Sequence, residues 1–215
     1  MSTFNRKILA EFLGTTVFLT AIVGASAAGS PLRQVSLALA LGLMILLFGP
    51  ISGGHFNPAV SVYFYSTKAL NLKALIFYIL AQLLGGLTGA WIGIAIWGGV
   101  LHYGGPASAN LTPLLGGELL ATAGLVTLIA QLVITKRENL IWIVVPLWVF
   151  AAGTFTQTGA QANPAVTLAL IFAGHNFTDQ ALTVIAEFLG MLIAVALLLV
   201  INEKKAKPTR KKVAK

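Results

Sequence analysis

Cysteine is absent from all 215 residues, so disulfides, thiol catalysis and thiolate metal sites are excluded, and the redox compartment is unreadable. Charge is almost as scarce: 9% of the residues are Asp, Glu, Lys or Arg, against about 25% in soluble domains. With 57% hydrophobic residues and a mean hydropathy of +0.89, composition alone marks a membrane protein. No nucleophile–base pair, phosphate loop or zinc-protease helix motif occurs. The chain therefore reads as no enzyme, with no catalytic residue, no cofactor and no metal.

What the chain does have is long apolar runs, at roughly 8–27, 35–50, 74–97, 114–134, 140–156 and 180–201. A span takes about 20 residues, and the second and fifth runs fall a little short. The N-terminus mimics a signal peptide, with Arg6-Lys7, an apolar run and then Ala25-Ser26-Ala27. Retention is the expectation, because the run is long, contains Glu11 and belongs to the repeat described below.

The net charge of +8 reads as topology. Of the fourteen Lys and Arg residues, seven lie between Lys204 and Lys215. If both termini are cytoplasmic, Arg6, Lys7, Lys68, Lys73, Lys136 and Arg137 also fall inside, and only Arg33 lies outside. The basic tail, 203–215, reads as disordered and able to touch anionic lipid head groups of the bilayer. Nucleic acid is not an expected partner, since no aromatics or recognition fold accompany the charge.

The triplet Asn-Pro-Ala occurs twice, at Asn57-Pro58-Ala59 and Asn163-Pro164-Ala165, each time breaking an apolar stretch. Asn favours the N-cap and Pro the first helical position, so a helix starts at each triplet. Glu11 and Glu118 are offset by 107, the triplets by 106, and Gln82 and Glu187 by 105. Each half thus reads as helix, helix, interrupted loop, helix. Three spans per half is odd, so the second half is inverted in the membrane. The half-helices, about 58–66 and 164–173, would be roughly 14 Å long, half the hydrocarbon thickness, and their N-termini meet at the centre. The non-helical stretches 51–57 and 157–163 must then line a cavity or pack within protein.

Asn57 and Asn163 carry the central chemistry: each oxygen caps a helix while the amide N–H can donate to a passing solute. Two helix N-termini, each worth about half a positive charge, repel cations there. Glu11 and Glu118 read as fixed acceptors for loop N–H groups, with a proton relay as the rival. Glu187 stands where the first half has neutral Gln82, and its protonation is open. His55, His102 and His175 fall in loops without further metal ligands, and His55, at a pore mouth, is a candidate for gating. Trp91, Trp97, Trp142 and Trp148 read as interface anchors and packing.

Ser52-Gly53-Gly54-His55-Phe56-Asn57-Pro58-Ala59-Val60 and Thr158-Gly159-Ala160-Gln161-Ala162-Asn163-Pro164-Ala165 resemble the two signature loops of the aquaporin (major intrinsic protein) family. Ala10-Glu11-Phe12-Leu13-Gly14-Thr15 and Tyr78-Ile79-Leu80-Ala81-Gln82 resemble its first and third helices. The resemblance implies an all-α membrane fold of six transmembrane helices plus two re-entrant half-helices. The channel domain would cover 1–202, with halves of about 5–97 and 113–202. It also implies passive conduction of small neutral solutes and water, in a homotetramer in the cell membrane. The family's outer selectivity filter maps by spacing to Leu37, Ala151, Ala160 and Val166, and most relatives carry arginine where this chain has Val166. A wide apolar ring favours solutes with carbon, each CH₂ in contact regaining up to about 0.8 kcal/mol. Glycerol, urea or neutral metalloid hydroxides such as arsenous acid are the expected solutes. The rivals are a mainly water-conducting pore, a proton-coupled transporter using Glu187, and a structural protein with a vestigial pore.

Overall fold

The computed structural model describes residues 1–98, 108 and 110–202. His102 and the basic tail 203–215 lie outside the described residues. The fold is all α among the described residues, and its element order repeats once. The first half holds α1 (Thr3–Ala27), α2 (Arg33–Ser52), the half-helix α3 (Pro58–Ser66) and α4 (Leu72–Trp97). The second holds α5 (Leu111–Ile134), α6 (Ile141–Phe155), the half-helix α7 (Pro164–Ile171) and α8 (Phe177–Ile201).

Both short spans are longer than the hydropathy runs. Helix α2 continues through Pro50 to Ser52 and stops only where Gly53 turns left-handed at φ 97°. A 3-10 turn, Glu138–Leu140, leads straight into α6 and completes an 18-residue span, Glu138–Phe155. Pro50 lacks the N–H that would bond the Leu46 carbonyl, yet the helix runs two residues past it. The irregular stretches are accordingly 53–57 and 156–163, and α7 ends two residues before the predicted 173.

Within each half the first and last helices pack together, α1 on α4 and α5 on α8, while α2 meets α6 across the halves. Small residues allow this approach. A Cβ on Gly85 would lie 2.5 Å from the Phe12 carbonyl, and one on Gly89 would collide with the Thr16 carbonyl. Gly190 plays the same part against Leu119 in the second half. In lipid, where no hydrophobic effect drives helices together, such close backbone packing replaces it. Large apolar side chains such as Leu39, Leu43, Trp91 and Leu199 cover the outside. The chain is a multi-pass membrane protein.

Candidate functional site

The two half-helices start back to back at the centre. Asn57 Oδ1 accepts the Ala59 N–H at 2.9 Å, and Asn163 Oδ1 accepts that of Ala165 at 3.0 Å. The amide nitrogens then cross between halves: Asn57 Nδ2 donates to the Ala162 carbonyl at 2.7 Å, and Asn163 Nδ2 to the Phe56 carbonyl at 2.8 Å. Each amide has two hydrogens, so one stays free on each side. Phe56 and Ala162 reach these carbonyl positions in left-handed conformations, φ 48° and 44°. That geometry costs a side-chain-bearing residue about 1–2 kcal/mol. The cross-bonds hold it in place.

Two buried carboxylates hold the loops. Glu11 accepts His55 N–H at 3.0 Å, Phe56 N–H at 2.7 Å, the Ser52 hydroxyl at 2.6 Å and Gln82 Nε2 at 2.8 Å. Glu118 accepts Gln161 N–H at 2.8 Å, Ala162 N–H at 2.6 Å and the Thr158 hydroxyl. Ser52, His55 and Phe56 of the first set map to Thr158, Gln161 and Ala162 by the offset of 106, while the fourth donor, Gln82, has no counterpart in the second. Both residues sit as loop acceptors, with all these donors in place.

The fourth helix of each half adds a second support. Gln82 Nε2 also donates to Ser61 Oγ at 2.9 Å, and that oxygen lies 3.0 Å from His55 Nδ1. Glu187 instead accepts the Asn163 N–H at 2.9 Å and the Thr167 hydroxyl at 2.6 Å, with Gln161 on the far side of Thr167. The Ser61/Thr167 and His55/Gln161 pairs were missed in the sequence. The repeat offset of 106 applied beyond the triplets would have found them.

A narrow cavity runs through this centre, lined by Asn57, Asn163, His55 and Gln161 on the polar side and by Leu41, Ile45 and Val149 on the apolar side. Its room for water-sized molecules is about 50 Å³, a short single file. It continues past His55, Gly53 and Phe64 into a vestibule of about 670 Å³. The His55 ring stacks on Phe64 at 4.7 Å where the two meet. His175 lies at the other end, beyond α7, with Nδ1 2.9 Å from Gln180 Nε2. Burial, and then the Arg33 charge, hold the His175 imidazole below its ordinary pKa. Trp148 packs inward and donates Nε1–H to the Ala121 carbonyl at 2.8 Å.

Leu37, Ala160 and Val166 are all buried within the apolar core that runs through both halves. Ala151 does not join them. It is exposed, on the face of α6 shared with Leu147 and Phe155, whereas Val145, Val149 and Ala152 face inward.

The family model for the major intrinsic protein matches residues 1–158. The chain is 32% identical over 213 residues to the aquaglyceroporin AqpS of Rhizobium meliloti, covering 90% of this chain and 89% of that one. It is 35% identical over 211 residues to an aquaglyceroporin of Toxoplasma gondii, covering 89% and 77%. The X-ray structure of the aquaglyceroporin from Plasmodium falciparum superposes with a TM-score of 0.76 at 24% identity, over 91% of this chain and 95% of that one, a likeness of fold. Doubled capped half-helices, inverted halves and these relatives agree: the chain belongs to the major intrinsic protein family, whose members are channels and not enzymes.

Proposed function

We propose that this chain is a passive channel for small uncharged solutes that carry carbon or a neutral metalloid centre, such as glycerol, urea or arsenous acid, with water passing as well. One observation carries the reading. The expected filter positions Leu37, Ala160 and Val166 are each buried and apolar, with no charge and no donor at Val166. An apolar wall favours a solute's CH₂ groups by up to about 0.8 kcal/mol each, whereas an arginine there would offer five donors and fill the opening. Names of relatives such as "aquaglyceroporin" support the same solute class. Ion exclusion falls to the centre, where two helix N-termini and the free amide hydrogens of Asn57 and Asn163 face one file of molecules.

Residues 1–202 form the channel domain in this reading, and 203–215 a cytoplasmic basic tail. Both termini face the cytoplasm, on the inner side of the cell membrane, by the distribution of Lys and Arg. Family resemblance supports a homotetramer with one pore in each subunit. His55, at the junction of vestibule and channel, is the gating candidate.

The test is a stopped-flow panel of water, glycerol, urea and arsenous acid on proteoliposomes. Glycerol permeability at the level of protein-free vesicles would sink the solute reading. Val166→Arg should cut glycerol flux at least about tenfold more than water flux, the effect of roughly 1.4 kcal/mol of lost fit. Equal losses would remove Val166 from the constriction.

A further inference from the structure

We infer that Arg33 and Gln34, at the outer end of α2, form a polar station that receives a hydroxyl group of a neutral solute before it enters the constriction. This rests on the channel reading above and adds a recognition site to it.

The wall of α2 leads there. Leu41 and Ile45 line the central cavity, and Leu37 lies buried one turn further out. Gln34 continues the same i, i+3/i+4 stripe by one more turn. Along one face the side chains therefore run from apolar to polar toward the mouth away from His55.

The surroundings are shaped for these two side chains. A Cβ on Gly153 of α6 would lie 2.5 Å from Gln34 Oε1. A Cβ on Gly159 would lie 2.7 Å from Gln34 Nε2 and 2.9 Å from Arg33 Nη1. Gly159 needs glycine in any case, at φ 78°, but Gly153 is helical and has no such backbone reason. Glycine inside a helix costs about 1 kcal/mol against alanine, and here it leaves room for the carboxamide and for the Gly159 carbonyl, which a Cβ would meet at 3.1 Å. Arg33 Nε donates to Ser26 Oγ at 2.8 Å, pinning the guanidinium to the end of α1 with Nη1 toward the loop.

One group in this cradle is incomplete. Gln34 Oε1 is buried and has no hydrogen-bond partner among the described residues. A buried acceptor left unpaired is unfavourable, and a carboxamide that swings away from Gly153 into the mouth regains a partner when a solute hydroxyl donates to it. The neighbouring guanidinium offers N–H donors to the same or an adjacent hydroxyl. An acceptor and a fork of donors side by side suit a polyol or a trihydroxy compound better than a solute with a single polar group. Arg33 also lies apart from Arg6, Lys7, Lys68, Lys73, Lys136 and Arg137, which gather at the opposite ends of the helices. Its charge also helps to lower the His175 pKa, which puts the two side chains near one another.

The test compares glycerol and water permeability of the full chain in proteoliposomes, for wild type, Gln34→Leu, Arg33→Leu and Gly153→Ala. Gln34→Leu and Arg33→Leu should each lower the glycerol-to-water ratio about tenfold, the loss of one good hydrogen bond. Gly153→Ala keeps both polar residues but displaces the carboxamide, and should shift the ratio in the same direction if either other variant fails to assemble. The half-saturating glycerol concentration should rise with the same changes, which a purely structural role would not produce. Ratios within twofold of wild type in all the variants that assemble overturn this proposal alone. Wild type that moves neither solute overturns the channel reading and this proposal together.

Discussion

The two loop cradles perform one backbone task with different charge. In the first half a single carboxylate, Glu11, takes four donors, and neutral Gln82 supplies donors to Glu11 and Ser61. In the second half Glu118 takes three, and a second carboxyl, Glu187, supplies acceptors to Asn163 N–H and Thr167. The first cradle is closed by donors and the second by acceptors. Where a buried group stands matters less than whether its partners have the complementary role. An internal repeat can thus conserve a geometry while exchanging the residue that secures it.

The largest expected effect separates the halves by their main acceptors. Glu11→Ala strands two loop N–H groups together with Gln82 Nε2 and the Ser52 hydroxyl, at about 3–6 kcal/mol in total. Glu118→Ala should cost less, because Glu187 still holds Asn163 N–H. Thermal unfolding of the detergent-solubilised proteins checks the order, and equal losses would break the comparison.

Exchanging the second supports should be asymmetric. Gln82→Glu removes both donors and sets a carboxylate against Glu11, a loss of about 2–4 kcal/mol. Glu187→Gln keeps an acceptor oxygen for Asn163 N–H and should stay within about 1 kcal/mol of wild type. Solute flux in Glu187→Gln vesicles should persist with or without a pH gradient. Abolished flux would return Glu187 to the proton-coupled role.

The cross-bonded asparagines should instead behave alike. Asn57→Ala and Asn163→Ala each lose a cap worth about 1–2 kcal/mol and leave a carbonyl of the other half unpaired. Matched drops in unfolding temperature, with matched rises in proton leak into dye-loaded vesicles, are the expected pair. A clear inequality would mean that the clasp is not shared.

The smallest effect concerns the strained residues before the caps. Ala162→Gly relieves a positive φ but frees the unfolded chain, so a gain of under about 1 kcal/mol is expected from calorimetry or unfolding temperature. A loss would place the cost elsewhere. The same change at Phe56 also deletes a buried ring, so only Ala162 isolates the backbone contribution.

Much of this was legible in the chain because the membrane leaves so few choices. Six spans, two half-helices and their caps follow from apolar length and from Asn-Pro, since every backbone group in lipid must be satisfied within the protein. Glu11 and Glu118 were readable as loop acceptors for the same reason. The place of Ala151 was not legible, because a twelve-residue spacing crosses an irregular stretch whose length does not fix helical phase, and neighbouring helical residues differ by about 100° of rotation. The continuation of α2 through Pro50 also escaped prediction, since proline terminates helices by tendency and Gly53 performs the stop here. Arg33 read only as a lone charge on the outside; its seat against Gly159 depends on loop geometry that no local pattern encodes.

The crossed amides have a consequence for assembly. Phe56 O and Ala162 O each receive the amide of the opposite half, so neither half can complete its own centre. The first four helices to leave the ribosome carry an unfinished site until the last four arrive, and the finished centre reports that both have inserted in opposite senses. The same mutual dependence would let the halves find one another as separate polypeptides. A gene split between α4 and α5 would yield two inactive pieces, with conduction restored only by their union.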